Sequence, residues 1–113
     1  MKLESKNHLW NMLQALKAVL EFTKGHSLAD YRSNLMMRAA VEREFIMMGE
    51  ALRRLERTDP ELAKRIANRA QIVAFRNVLV HDYDRISDEV VWDTVNADVG
   101  PLIRQIESLL NEP

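Results

Sequence analysis

The sequence predicts an all-α chain, an antiparallel bundle of four or five helices forming a single domain over residues 1–113. Apolar residues recur at alternating three- and four-residue spacing along several long segments, the signature of one buried helix face. Only three glycines and three prolines punctuate the 113 residues, too few for a chain of many turns. No segment reads convincingly as a strand, and the short connections favour antiparallel neighbours.

The first helix runs from about Ser5 to Lys24, with Leu9, Leu13, Leu16 and Leu20 as its stripe and Met12 and Val19 widening it. Gly25 is a natural stop. Ser27, with Asp30 three residues on, can cap a short turn through Tyr31. A second long helix covers about Asn34 to Arg57, with Val41, Phe45, Met48, Leu52 and Leu55 at four–three spacing. Met36, Met37, Met47 and several alanines spread its apolar surface past one stripe, so it is expected to pack on two sides, within its own domain and against another subunit. Asp59 and Pro60 suit the N-cap and first position of a short helix to about Asn68. The next helix places Ile72, Phe75 and Leu79 on one face. The last starts at Ser87, with Asp88 and Glu89 at its positive end, and carries Val95, Val99, Leu102, Ile106 and Leu109 through a kink at Gly100-Pro101.

Composition narrows the classes of function. An apolar fraction of 47% and a charged fraction of 29% are those of an ordinary soluble chain. There is no cysteine, hence no disulfide framework and no thiolate metal site, which suits a reducing cytoplasm. No signal-peptide block opens the chain, and no apolar run approaches the roughly 20 residues of a membrane span. The net charge of −1 argues against indiscriminate nucleic-acid binding. The charge is uneven, however: residues 53–81 carry seven basic and three acidic side chains, whereas residues 82–113 carry two and eight. A local basic region can meet phosphates while the molecule stays near neutral, although Arg53, Arg54 and Arg57 also read as a solvated helix face.

The chemistry concentrates in Arg76-Asn77-Val78-Leu79-Val80-His81-Asp82-Tyr83. Arginine keeps its charge and matches phosphate oxygens with a planar fork. Histidine titrates near about 6.5 and can move a proton at cellular pH. This stretch resembles the Arg-x4-His-x-Tyr motif of the HEPN superfamily, and most closely its HepT-type toxins. Met48-Gly49-Glu50-Ala51 resembles that family's Gly-Glu-Ala segment, and Trp92 with Asp93-Thr94-Val95 its last-helix opening. Asp84-Arg85 departs from it, standing where an aromatic–glycine pair is common.

The resemblance implies a homodimeric, metal-independent ribonuclease toxin with RNA as substrate. Arg76 would bind the scissile phosphate, and His81 would serve the 2′-hydroxyl and leaving oxygen as base or acid. Asn77 would orient substrate or His81, and Glu50 would hold Arg76 or His81 from the neighbouring helix. The implied partner is a nucleotidyltransferase antitoxin that uses ATP to adenylylate Tyr83; the chain itself would need no cofactor. His8, His26 and His81 lack metal-ligand spacing, and His8 and His26 read as surface residues. Two other readings share the fold: a non-catalytic RNA- or nucleotide-binding module, and a structural subunit of a nucleotidyltransferase complex. On a regular helix Arg76 and His81 diverge by about 140°. Either the helix ends before His81, or two chains assemble the site. Arg76 would alternatively bridge Asp82 or Asp84. Gly49 costs roughly 1 kcal/mol against alanine in a helix interior, which marks a close helix approach, expected where two subunits cross.

Overall fold

The computed structural model describes residues 1–82, 84 and 86–113; Tyr83 and Arg85 lie outside the described residues. Helices α1 (Leu3–Thr23), α2 (Leu28–Ser33), α3 (Leu35–Thr58), α4 (Pro60–Ala63), α5 (Arg69–His81), α6 (Asp88–Ala97) and α7 (Val99–Leu110) follow in order, and no strand occurs among the described residues. No described helix is long and apolar enough to cross a membrane.

Each start has a local cause. The Ser27 hydroxyl accepts from the Asp30 N–H while the Asp30 carboxylate accepts from the Ser27 N–H, a reciprocal capping box that opens α2. Asn34 Oδ1 accepts from the Met37 N–H at 3.0 Å and opens α3. Asp59 caps α4 through Leu62 N–H and also accepts from buried Ser5 Oγ at 2.7 Å, which ties the start of α1 to the end of α3. The Ser5 hydrogen bond is the main reason the Asp59 carboxyl is held below its ordinary range.

Helices α1 and α3 form the central pair; α7 packs on α1, and α5 packs on α3. The α1 stripe is Leu9, Met12, Leu13, Leu16 and Val19, all buried. Leu20 turns outward, because the true period of 3.6 carries the buried line from Leu16 to Val19 and Thr23. Helix α3 buries Val41, Phe45, Met48, Leu52 and Leu55, while Met36 and Met47 stay exposed on its other side. Tyr31, expected only to end a turn, is fully buried, its ring 5.3 Å from that of Trp92.

Three further expectations change. The short helix stops at Ala63 instead of near Asn68. The following turn is held from outside: Gln105 of α7 accepts from Ala67 N–H at 3.1 Å and donates to the Arg65 carbonyl at 2.9 Å. The last helix is broken at Asp98, before Gly100-Pro101 rather than at it. Pro101 has no N–H to give the Ala97 carbonyl, so the ladder lapses there, and the buried line Val91, Val95, Val99, Ile103, Ile106 continues across. His8, expected at the surface, has a side chain only 14% exposed, with Nε2 buried.

Candidate active site

Helix α5 runs antiparallel to α3. Arg69 Nε pairs with Glu56 at 3.4 Å, and Arg76 lies against Gly49 two turns further on, so the register descends along α3 as it rises along α5. Leu79 is the buried anchor of α5; Phe75, half-buried, sets its ring 5.2 Å from that of Phe45. Between Phe75 and Leu102 the bundle leaves an apolar groove of about 600 Å³.

That packing seats Arg76. A methyl group at Gly49 would stand 2.5 Å from Arg76 Cβ and 2.6 Å from Cγ, so only glycine lets the arginine stem cross α3 here. The close approach inferred for Gly49 therefore lies between two helices of one chain. The Arg76 side chain is 16% exposed, and burial of a guanidinium requires partners. Nη2 donates to Glu50 Oε1 at 2.5 Å, and Nη1 donates to Asn77 Oδ1 at 2.9 Å. One N–H of each terminal nitrogen is left over from the five that arginine carries. Nε is buried and has no hydrogen-bond partner among the described residues. The Arg76 hydrogen bond holds the Glu50 carboxyl below its ordinary range, helped by the charges of Arg76, Arg54 and Arg53. Glu50 and Asn77 thus both meet Arg76, and neither meets His81. Arg76 pairs with Glu50 rather than with the acids beyond its own helix.

Beside this pair lies a cleft of about 360 Å³ lined by Glu50, Arg53, Arg54, Arg57 and Arg76. Sequence reading left Arg53 and Arg57 as open choices between phosphate binding and a solvated face. Their spacing of three and seven from Glu50 was the available signal that they share its side of α3.

His81 is exposed in the last turn of α5. The helix does not end before it. Asp82 N–H donates to the Val78 carbonyl at 2.9 Å and keeps the final turn closed, so the first residue off the helix is Asp82. Arg76 and His81 consequently point about 140° apart. Within one chain the two side chains therefore leave the helix on different sides. Tyr83, the expected modification site, lies outside the described residues. Among the described residues no three His, Asp or Glu side chains converge to hold a metal ion.

Residues 12–109 match the model of the family described as ribonuclease HepT-like. The chain belongs to the HepT-like family. Its relatives span it nearly end to end. A Methanocaldococcus jannaschii protein named "Putative RNase MJ1380" is 30% identical over 106 residues, 94% of this chain and 96% of that one. "Putative RNase TTE0752" of Caldanaerobacter subterraneus is 24% identical over 93% of each chain. "Probable ribonuclease HepT" of Thermococcus cleftensis is 27% identical, covering 96% of this chain and 98% of its own length. No solved structure matches the chain. The HepT-like family is a ribonuclease family of the HEPN type, and the all-helical bundle agrees with that membership.

Proposed function

We propose that this HepT-like chain is a metal-independent endoribonuclease, the toxin of a toxin–antitoxin pair. The observation that carries the reading is a guanidinium clamped by Glu50 and Asn77 at the edge of a basic cleft, with an exposed imidazole five residues on along the same helix. The names of the relatives support RNA as the substrate.

In this reading His81 takes the proton of a ribose 2′-hydroxyl, and the freed oxygen attacks the adjacent phosphorus. The bond from phosphorus to the 5′-oxygen of the next nucleotide breaks, that oxygen takes the proton from the protonated His81, and a 2′,3′-cyclic phosphate remains. Arg76 binds the scissile phosphate and neutralises the extra charge of the transition state. A positioned acid–base group is worth about 10²–10⁴ in rate. Because Arg76 and His81 diverge within one chain, the working site takes Arg76 from one protomer and His81 from its partner in a homodimer. The exposed Met36 and Met47 on α3 supply apolar surface for such pairing. The chemistry needs no metal, since base and charge neutralisation both come from side chains.

Tyr83 follows His81 by two residues. A partner nucleotidyltransferase using ATP would place AMP there, and its bulk and negative charge would exclude an RNA phosphate. The proteins would meet in the cytoplasm. The test is cleavage of single-stranded RNA, tRNA and mRNA in excess chelator by the parent chain, Arg76→Ala and His81→Ala. Cleavage by the parent and loss in both folded variants is expected. Cleavage that requires added metal, or that survives both substitutions, overturns the assignment. RNA bound but uncut by the parent moves the reading to a binding module. Incubation with the partner and ATP is expected to add AMP to the parent and not to Tyr83→Phe.

A further inference from the structure

We propose that Arg53 and Arg57 hold the RNA phosphates that follow the one at Arg76, so that the cleft on the C-terminal half of α3 is the path of the RNA backbone. The inference rests on the ribonuclease reading above and names what positions the strand.

The cleft walls are four guanidiniums and a single carboxylate, a net charge of +3, with no apolar side chain among them. Glu50 is committed to Arg76 at 2.5 Å and reaches Arg54 only at 4.0 Å. Arg53 and Arg57 make no hydrogen bond or ion pair among the described residues. Other arginines of the same basic segment are neutralised: Arg65 by Glu112 and Arg69 by Glu56. The guanidiniums of Arg53 and Arg57 therefore line the cleft without a hydrogen-bonded carboxylate among the described residues.

The chemistry selects a phosphate over a base. A single guanidinium plane can stack on a base, but four guanidiniums around one carboxylate gather positive charge that an anion balances and a neutral base does not. A phosphate needs planar N–H forks, which this cleft has. Arg53 and Arg57 are four residues apart on α3, about 6 Å along its axis. Because α5 runs antiparallel to α3, both lie beside the N-terminal half of α5, on the opposite side of Arg76 from the His81 end. The track thus runs from the reacting phosphate at Arg76 away along α3, and it holds the strand without reading its sequence.

The test measures binding of a labelled single-stranded RNA by fluorescence anisotropy across a salt series. His81→Ala is the background, so that the RNA stays intact. For a single strand, each phosphate that the protein ceases to neutralise lowers the slope of log K against log salt by about 0.7. Arg53→Gln with Arg57→Gln is expected to lower it by about 1.4, and Arg57→Gln alone by about half of that. Arg53→Lys with Arg57→Lys keeps the charges and restores most of the slope. Lys64→Gln, outside the cleft, leaves it unchanged. With His81 intact, the double glutamine variant raises KM and retains kcat. RNA bound with an unchanged slope in the double variant overturns the track and leaves the nuclease standing. No RNA bound by His81→Ala at low salt, together with no cleavage by the parent, overturns the nuclease reading and the track with it.

Discussion

At the scale of single residues, Gly49 and Glu50 decide what Arg76 can do. Gly49 leaves room for the Arg76 stem, and Glu50 pairs with its head. Gly49→Ala gains about 1 kcal/mol of helix propensity. It also drives a methyl group into Arg76 Cβ and Cγ, the inflexible end of that side chain, and such overpacking costs about 1–3 kcal/mol. The expected outcome is a lower Tm and reduced RNA cleavage, read by thermal unfolding and a cleavage assay; an unchanged or raised Tm together with full cleavage contradicts the account. Glu50 adds a pH dependence. Its carboxyl is held below the ordinary value of 4.5, chiefly by the Arg76 hydrogen bond. Its contribution to stability is therefore fully present above that value and is lost as pH falls through the depressed one. Thermal midpoints of the parent should fall more steeply below about pH 4.5 than those of Glu50→Gln. Parallel curves would show that the pair does not support the fold.

At the scale of elements, the junction before α5 aims the motif helix. Asn68 stands in the left-handed region, with φ of 59° and ψ of 28°, and Gln105 clamps the backbone just before it. A left-handed residue with an ordinary side chain costs about 1–2 kcal/mol, least for asparagine and nothing for glycine. Asn68→Gly should leave stability nearly unchanged, whereas Asn68→Val should lose about 1–2 kcal/mol in urea unfolding. Equal stability of the two would mean that the turn relaxes without them. The asparagine itself was legible, but its role was not, because the expected helix ran over it. The long helices α1 and α3 were legible in place and in face, since their apolar stripes follow the 3.6-residue period over more than twenty residues each. The break at Asp98 was displaced from Gly100-Pro101 because a proline removes a hydrogen bond four residues earlier.

At the scale of the whole molecule, one chain separates the two groups that the proposed cleavage needs. Helix α5 is unbroken from Arg69 to His81, so Arg76 faces α3 while His81 faces solvent. A site shared across a two-fold axis predicts complementation. Arg76→Ala and His81→Ala chains, each inactive alone, form heterodimers with one intact site when mixed, and random pairing restores roughly a quarter of the parent activity. No recovery after denaturation and joint refolding would place both residues in one protomer and contradict the shared site. Sedimentation of the same mixture checks that the dimer forms.

The long helices, the caps at Ser27 and Asp59 and the family motif were readable from order and spacing alone, because they depend on residues at most a few turns apart. Ser27 with Asp30, and Asp59 with Pro60, announce helix starts in any context. The partner of Arg76 was narrowed to Glu50, Asp82 or Asp84 and then decided only by packing. The choice depends on a glycine 27 positions away that lets two helices touch. The same close approach decided that Arg53 and Arg57 border the motif arginine instead of standing on an isolated solvated face. Periodicity tells which side of a helix is buried; which neighbour buries it follows from how the helices cross, and that is set by side-chain volume at the crossing point.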